Sequence, residues 1–206
     1  MSYCLEMSTG DMRDVMRLLT AVERTEKQER ALGVVRERCA RTDARFGEQG
    51  IDLDVTVSRA LDELVEGAPS VEVSPAYTYA FHEVVAAHFS DTTDLGSWRR
   101  PSWFFRMDDE LARHGVPSEL RPVAFLFGGP PLRLPQTGDA FPSIGTLPAQ
   151  RAAALADAYE SVVHHLDPEY QDAARKFAEL MRFEAEEWES ARKLGQTLDT
   201  IFFWFA

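Results

Sequence analysis

The chain has 206 residues, of which 45% are hydrophobic and 27% are charged, a composition typical of a folded protein and not of a disordered one. Its formal net charge of -12 argues against nucleic-acid binding, because a duplex-binding protein must neutralise phosphates with Lys and Arg. The apolar runs are too short to span a membrane, and the opening stretch lacks the basic and apolar regions of a signal peptide. We therefore expect a cytoplasmic protein that does not bind membranes.

The first elements are predicted to be a strand and a helix. The stretch SYCLEM alternates in polarity, as a half-buried strand does, and STGD supplies residues that cap a helix. Residues 23–30 are almost purely charged and indicate a solvated extension or a connection. Apolar residues then recur at helical spacing at Leu32, Val35, Cys39 and Phe46. We therefore expect a charged helical excursion at about 23–46.

The middle of the chain is predicted to contain short helices joined by loops. VTVSRALDELVEGAP and SPAYTYAFHEVVAAHFSD each have helical spacing and capping residues. The stretch that begins TTDLGSW predicts a loop and then a helix around Phe104 to His114. VAFLFGG fits either a buried strand or a helix turn, because its length does not separate the two. The Gly and Pro residues from Gly128 to Pro148 predict a long irregular loop.

The C-terminal part gives the clearest pattern. Two long segments, LPAQRAAALADAYESVVHHLD and DPEYQDAARKFAELMRFEAEEWESARKLG, predict helices with one apolar face. The closing TIFFWFA is continuously apolar and predicts a strand buried on both faces. The whole chain, residues 1–206, is therefore expected to form a single α+β domain that is mostly helical. Its small sheet would include the N- and C-terminal strands, packed by the long C-terminal helices.

The stretch AFLFGGPPLRLP has glycines of the kind that can surround a phosphate. A phosphate-binding loop also needs Lys and Ser or Thr at the start of a helix, whereas here two prolines follow, and proline has no N–H to donate. A sharp turn is the favoured interpretation, with Arg133 as the only charge before Asp139. Any pocket in the protein is expected to use this loop as a wall.

The histidines and cysteines give no metal-binding pattern. His82 and His88 are six residues apart, whereas zinc proteases place two histidines four apart on one helix face. A metal site is possible only if the fold brings His82 or His88 together with His164 or His165 and a carboxylate. Two cysteines do not make a disulfide framework or a four-cysteine zinc site. We predict no metal and no cofactor.

Two further features are candidates for binding. Glu184 falls close to the apolar stripe of the last helix, so its carboxylate is expected to be buried, either paired with a partner such as an arginine or raised in pKa. The stretch SWRRPSWFFR mixes aromatic rings with guanidinium groups, as anion-binding sites and interfaces do. The favoured interpretation of that stretch is structural, with the rings in the core and the arginines paired with carboxylates. The residues predicted for binding are Trp98, Arg99, Arg100, Trp103, Arg106 and Arg133.

Three segments resemble the YfbM-like proteins, a family without an assigned activity. MSYCLEMSTGDMRDVMRLL is similar to their first strand and helix. LPAQRAAALADAYESVVHHLDPEYQDAARKF and ESARKLGQTLDTIFFWFA are similar to their later helices and closing strand. The use of Ala, Arg and Asp also resembles that of actinobacterial conserved hypothetical proteins. The resemblance gives no residue a role.

Two functions remain open from the sequence, and the catalytic residues are unknown in either case. The first is a non-enzymatic protein-binding or regulatory module that uses an acidic helical face or the Trp98 to Arg106 stretch. The alternative is a small hydrolase or ligand-binding enzyme with a pocket between residues 128–148 and the helices that carry the histidines. The missing catalytic motifs favour the first. The sequence predicts a possible protein partner and leaves the oligomeric state open.

Overall fold

Strands lie near both ends of the chain, and helices fill most of the sequence between them. A computed structural model describes residues 3–90, 92–135 and 141–206. Its longer elements are, in order, β1 (Tyr3–Gly10), α1 (Met12–Thr20), α2 (Glu26–Gln49), α3 (Val57–Glu66), α4 (Pro75–Ala86), β2 (Thr93–Trp98), α5 (Pro101–Arg113), α6 (Pro122–Phe127), β3 (Ser143–Pro148), α7 (Ala152–Val162), α8 (Pro168–Lys193) and β4 (Thr200–Phe205).

The chain divides into two compact units. We call residues 1–10, 93–131 and 144–206 the sheet unit, and residues 11–92 and 132–143 the helical unit. The sheet unit contains β1, β2, β4 and nearly all of β3, together with α5 to α8, whereas the helical unit contains α1 to α4.

The strands at the two ends of the chain are neighbours in the sheet. The strand order is β2-β1-β4-β3, and β1 runs antiparallel to both of its partners. The register of β1 with β4 runs from Leu5 opposite Phe205 to Gly10 opposite Thr200. Beyond that ladder, Cys4 and Ala206 exchange backbone hydrogen bonds of 2.6 and 2.9 Å. The predicted α+β class with paired terminal strands is therefore confirmed.

The core of the sheet unit lies between β4 and the long helix α8. Ile201, Phe203 and Phe205 on one face of β4 are fully buried in one cluster with Phe177 and Met181 of α8. The other face of β4 is also buried, at Phe202 and Trp204. The continuous apolar run is therefore buried on both faces, as the sequence predicted. Each large apolar side chain of this kind contributes roughly 1.5–3 kcal/mol when it leaves water.

Three buried or half-buried carboxylates organise the helical unit. Asp43 of α2 accepts hydrogen bonds from the backbone of Val57 and Ser58, and so caps the start of α3. Glu83 of α4 accepts from Arg38 and Thr42 of α2, each at 2.8 Å. Glu63 of α3 accepts from the hydroxyl of Tyr77 in α4 and from Ser70. Hydrogen bonds from Tyr77 and Ser70 hold the pKa of the Glu63 carboxyl at about 2.

The charged run near the start of α2 is helical from Glu26 onward and is not an extension. Thr25 and Gln28 form a capping box, in which each side chain bonds the backbone of the other residue. A capping box satisfies free backbone N–H groups at a helix start, so a charged sequence can begin a helix without apolar contacts. The sequence pattern missed this signal because the apolar stripe begins only at Leu32.

Two strands lie where loops were predicted. β2 covers the stretch TDLGSW, and β3 covers SIGTLP within the predicted irregular loop 128–148, of which residues 136–140 lie outside the described residues. Neither strand shows a strong alternation of apolar and polar residues. Each is held by backbone pairing with a distant segment and not by an apolar face of its own. The ambiguous stretch VAFLFGG contains most of the helix α6.

Glycines allow β3 to approach α6 closely. A Cβ on Gly145 would lie 1.9 Å from the carbonyl oxygen of Phe125, and a Cβ on Gly128 would lie 2.2 Å from that of Ala124. Gly129 has a φ of 84°, and its N–H donates to the carbonyl of Ile144 at 3.0 Å. The Gly-Gly pair therefore ends α6 and turns the chain, as the favoured interpretation of that stretch expected.

Substitution Gly145→Ala is expected to lower the free energy of unfolding by about 3 kcal/mol, because the new methyl group meets backbone atoms that cannot rotate away. Urea unfolding followed by circular dichroism measures the change. Gly33→Ala is the control, since nothing lies within 4 Å of a Cβ at that helical position. Alanine is favoured there by roughly 0.5–1 kcal/mol. A Gly145→Ala variant as stable as the wild type would contradict the close approach.

Candidate binding cleft

Five of the six residues predicted for binding line one cleft in the sheet unit. Trp98, Arg99, Arg100, Trp103 and Arg106 surround it together with Tyr3. The cleft is open and has a volume of about 570 Å³, which is within the range of ligand-binding clefts. We call it the Arg/Trp cleft.

The cleft forms where β2 leads into α5. Tyr3 of β1 lies opposite Trp98 at the end of β2, and its ring stacks on Phe205 of β4 at a centroid distance of 5.5 Å. Pro101 begins α5, so the preceding residue, Arg100, is restricted to an extended backbone, with φ -58° and ψ 157°. The two arginines therefore project from a short linker that is fixed at both ends by secondary structure.

The two tryptophans are structural parts of the cleft. Trp103 is 3% exposed, and its Nε1–H donates to Glu169 Oε1 at 2.7 Å. Trp98 is half-buried, stacks on Phe104 at 5.5 Å, and donates from Nε1 to the carbonyl of Leu95 at 2.9 Å. The Lys176 ammonium lies 4.9 Å from the centroid of the Trp98 ring. The expectation that the rings belong to the core agrees with these contacts for the two tryptophans, whereas Phe105 of the same stretch is 46% exposed.

The three arginines differ in how they are compensated. A terminal nitrogen of Arg106 lies 3.8 Å from Glu169 Oε1, at the outer limit of an ion pair. The Arg99 guanidinium lies 5.7 Å from the centroid of the Trp103 ring, in the range of a cation–π contact. Within the part of the chain that the structure describes, neither Arg99 nor Arg100 has a carboxylate partner. The expectation that the arginines pair with carboxylates therefore holds for Arg106 alone.

Sequence reasoning missed Glu169 and Lys176, which contact residues that support this cleft. Glu169 bonds Trp103 across 66 positions of sequence, and Lys176 bonds the Leu95 carbonyl across 81. Both residues lie on the polar side of a predicted amphipathic helix, where nothing in the pattern distinguishes them from solvated charges. The fold, and not the local sequence, brings Glu169 to Trp103 and Lys176 to the Leu95 carbonyl.

Arg133, the sixth predicted binding residue, lies elsewhere. It lines a second cleft, of about 390 Å³, in the helical unit. The walls of that cleft are residues 69–72 and 133–135, so part of the loop after the Gly-Gly turn does form a wall. Among the described residues that line it there is no histidine.

The four candidate histidines are distributed over both units. His82 and His88 belong to the helical unit, where burial lowers the pKa of His82 to about 4 and His88 Nδ1 lies 2.8 Å from the Val84 carbonyl. His164 and His165 are exposed at the end of α7 in the sheet unit. Among the residues described, no three His, Cys, Asp or Glu side chains are arranged to hold a metal ion. The same residues include no helix with the length and apolarity needed to cross a bilayer.

Glu184 is buried in the sheet unit, and its partner is a hydroxyl group. The Thr9 side chain of β1 donates to Glu184 Oε2 at 2.6 Å, so the partner is not the arginine that we considered. Burial raises the pKa of Glu184, the hydrogen bond from Thr9 opposes that rise, and the charge of Glu187 adds to it. Glu184 is not among the residues that line the Arg/Trp cleft.

Comparison with known families gives one match. The model of a family described as a domain of unknown function, DUF7691, matches residues 1–204 of the chain. The match supports an uncharacterised domain and does not support the specific resemblance to the YfbM-like proteins. Searches of curated proteins and of solved structures found no match.

The raised pKa of Glu184 predicts a pH-dependent effect of Glu184→Gln. The folded state keeps the proton to a higher pH than the unfolded state, so the wild type loses stability as pH rises above the ordinary pKa of a glutamate. Glutamine stays neutral and still accepts from Thr9. We therefore expect the variant to gain stability relative to the wild type between about pH 4 and pH 7.

Urea unfolding of both proteins at the two pH values measures this difference. Glu179→Gln is the matched control, because Glu179 lies on the same helix and is exposed. A stability difference between the Glu184→Gln variant and the wild type that is the same at both pH values would contradict the assignment.

Proposed function

We propose that this chain, which belongs to the DUF7691 family of domains of unknown function, is a non-enzymatic binding module that holds an acidic segment of a partner protein in the Arg/Trp cleft. The observation that carries the proposal is the uncompensated pair Arg99 and Arg100. Both residues line the cleft, and neither guanidinium group has a carboxylate partner among the described residues.

The position of this pair at one cleft sets it apart from other arginines of the chain. Asp and Glu number 34 against 22 Lys and Arg, so carboxylates are in excess. Many arginines pair with them, for example Arg36 with Asp62 at 3.1 Å and Arg121 with Asp108 at 2.9 Å, whereas Arg99 and Arg100 have no carboxylate partner among the described residues and line the same cleft. A guanidinium pair that stays uncompensated on such an acidic protein is complementary to an acidic ligand.

The cleft is also organised before any ligand arrives. Glu169 fixes the ring of Trp103, and that ring in turn lies under the Arg99 guanidinium. A side chain that is already held in place loses less conformational entropy on binding than a free one. Arg and Trp are also the residue types that contribute most to protein interfaces.

The hydrolase alternative receives less support from the cleft. Nucleophilic catalysis needs a serine, threonine or cysteine within hydrogen-bond reach of a base. The described residues that line the Arg/Trp cleft are one tyrosine, two tryptophans and three arginines, so this part of the lining supplies binding groups and no such nucleophile–base pair.

Three further expectations remain proposals. A single domain over residues 1–206 is supported by the discontinuity of both units, because each is assembled from separate stretches of the chain. A cytoplasmic location is supported by the free thiols of Cys4 and Cys39. Kinship with the YfbM-like proteins is supported by the close succession of β1 and α1 and by the final order of α8 and β4.

The double variant Arg99→Glu/Arg100→Glu is expected to weaken binding of acidic peptides at least tenfold, because it replaces attraction by repulsion at the cleft. Fluorescence anisotropy with labelled peptides rich in Asp and Glu measures the affinity, and Gln- and Asn-rich peptides of equal length provide the neutral comparison. Circular dichroism checks that the variant is folded.

Arg30→Glu/Arg41→Glu is the matched control. Both arginines are exposed on α2 in the helical unit, so the net charge changes equally while the cleft is untouched. We expect this control to bind like the wild type. Equal affinity of the cleft variant and the wild type, or no preference of the wild type for acidic peptides over neutral ones, would refute the proposed function.

A further inference from the structure

We infer that the acidic group recognised by the Arg/Trp cleft is a phosphorylated side chain of the partner, bound by Arg99 and Arg100. This inference rests on the proposed function and names the chemistry of the group that anchors the partner segment. It concerns a phosphomonoester within a polypeptide, and not a free phosphate ion.

The charge of the site matches a phosphomonoester better than a carboxylate. Arg106 is already near Glu169, whereas Arg99 and Arg100 together present two positive charges without a partner among the described residues. A phosphorylated side chain carries about -1.5 to -2 near neutral pH, and a carboxylate carries one negative charge. A phosphoryl group therefore compensates both guanidiniums, and a single Asp or Glu leaves one of them exposed without compensation.

The geometry of the hydrogen-bond donors also favours a phosphoryl group over a carboxylate. A guanidinium offers a planar fork of N–H groups that forms two parallel hydrogen bonds to phosphate oxygens. Arg99 and Arg100 line the same cleft, and two guanidinium groups can engage three phosphoryl oxygens, whereas a carboxylate has only two oxygens to offer. The Arg99 guanidinium lies over the Trp103 ring, and the backbone of Arg100 is fixed before Pro101, so the conformational freedom of this short linker is limited before a ligand binds.

The aromatic walls favour a compact anion over a flat ring. Trp103 is 3% exposed and offers almost no free face to a ligand. The Trp98 ring already contacts Phe104, Phe177 and the Lys176 ammonium. A ligand that depends on stacking an aromatic group finds these rings occupied, whereas a phosphoryl group needs only the guanidiniums at the mouth of the cleft.

Three peptide libraries test the inference on the full chain. The libraries share random flanking positions and differ at one central residue, which is serine, phosphoserine or glutamate. We expect the phosphoserine library to bind at least tenfold more tightly than the glutamate library. Inorganic phosphate is tested alone, because binding as tight as that of the phosphoserine library would identify a free-anion site and overturn the inference.

Charge-conserving variants separate the effect of the paired guanidinium hydrogen bonds from the effect of positive charge alone. Arg99→Lys/Arg100→Lys keeps both positive charges and loses the paired hydrogen bonds, so we expect it to reduce the preference for phosphoserine over glutamate to less than threefold. Arg133→Lys, in the other cleft, is the control and keeps the full preference. A double lysine variant that retains the tenfold preference would overturn the role of the forks.

The pH dependence gives a second readout. The second pKa of a phosphomonoester is about 6, so the affinity of the phosphoserine library falls as the pH is lowered from about 7.5 to 5.5, while a glutamate peptide keeps its charge over that range.

If the glutamate and phosphoserine libraries bind equally, the inference fails and the proposed function stands. If neither library binds better than the serine library, the proposed function fails as well.

Discussion

The pairing of β1 with β4 is the constraint on which the sheet unit depends. It joins the first and last described strands along a ladder that runs from Leu5–Phe205 to Gly10–Thr200. Because side chains alternate along a strand, this register decides which residues of β4 face α8. A shift by one residue would exchange the buried Phe203 and Phe205 with their neighbours on the opposite face. The core of the unit is therefore specified by contacts between the two ends of the sequence.

The Arg/Trp cleft is built on the same ladder. Phe205 supports the ring of Tyr3, and Tyr3 is opposite Trp98 on β2. Trp98 and Lys176 both donate to the Leu95 carbonyl, which satisfies a backbone acceptor of β2 and makes that strand less open to pairing with another chain. The rings and the lysine thus hold the cleft in shape, while Arg99 and Arg100 stay available to a ligand. The side chains that support the cleft are therefore different from those that we propose to contact the ligand.

The sequence predicted the parts whose local pattern and tertiary environment agree. The two C-terminal helices and TIFFWF have strong apolar patterns, and the structure buries the same residues. β2 and β3 were missed because backbone pairing with distant segments holds them, and no local pattern records that pairing. The cleft residues Trp98 to Arg106 were identifiable by composition because they are close in sequence. Glu169 was not, since its link to Trp103 exists only after folding.

The proposed binding of an acidic group by an acidic protein requires a site whose charges act at short range, and the two arginines of the cleft meet that requirement. At physiological ionic strength the Debye length is about 8 Å, so distant carboxylates are largely screened from a ligand in the cleft. Charges within the first few ångströms dominate instead, and there the pair Arg99 and Arg100 decides the sign of the field. The net charge of -12 still slows the approach of anions from a distance and disfavours nucleic acid, whose many phosphates extend beyond one cleft. A single anionic group on an otherwise neutral or basic segment avoids that repulsion, so the partner segment that we propose is one that carries an isolated anion.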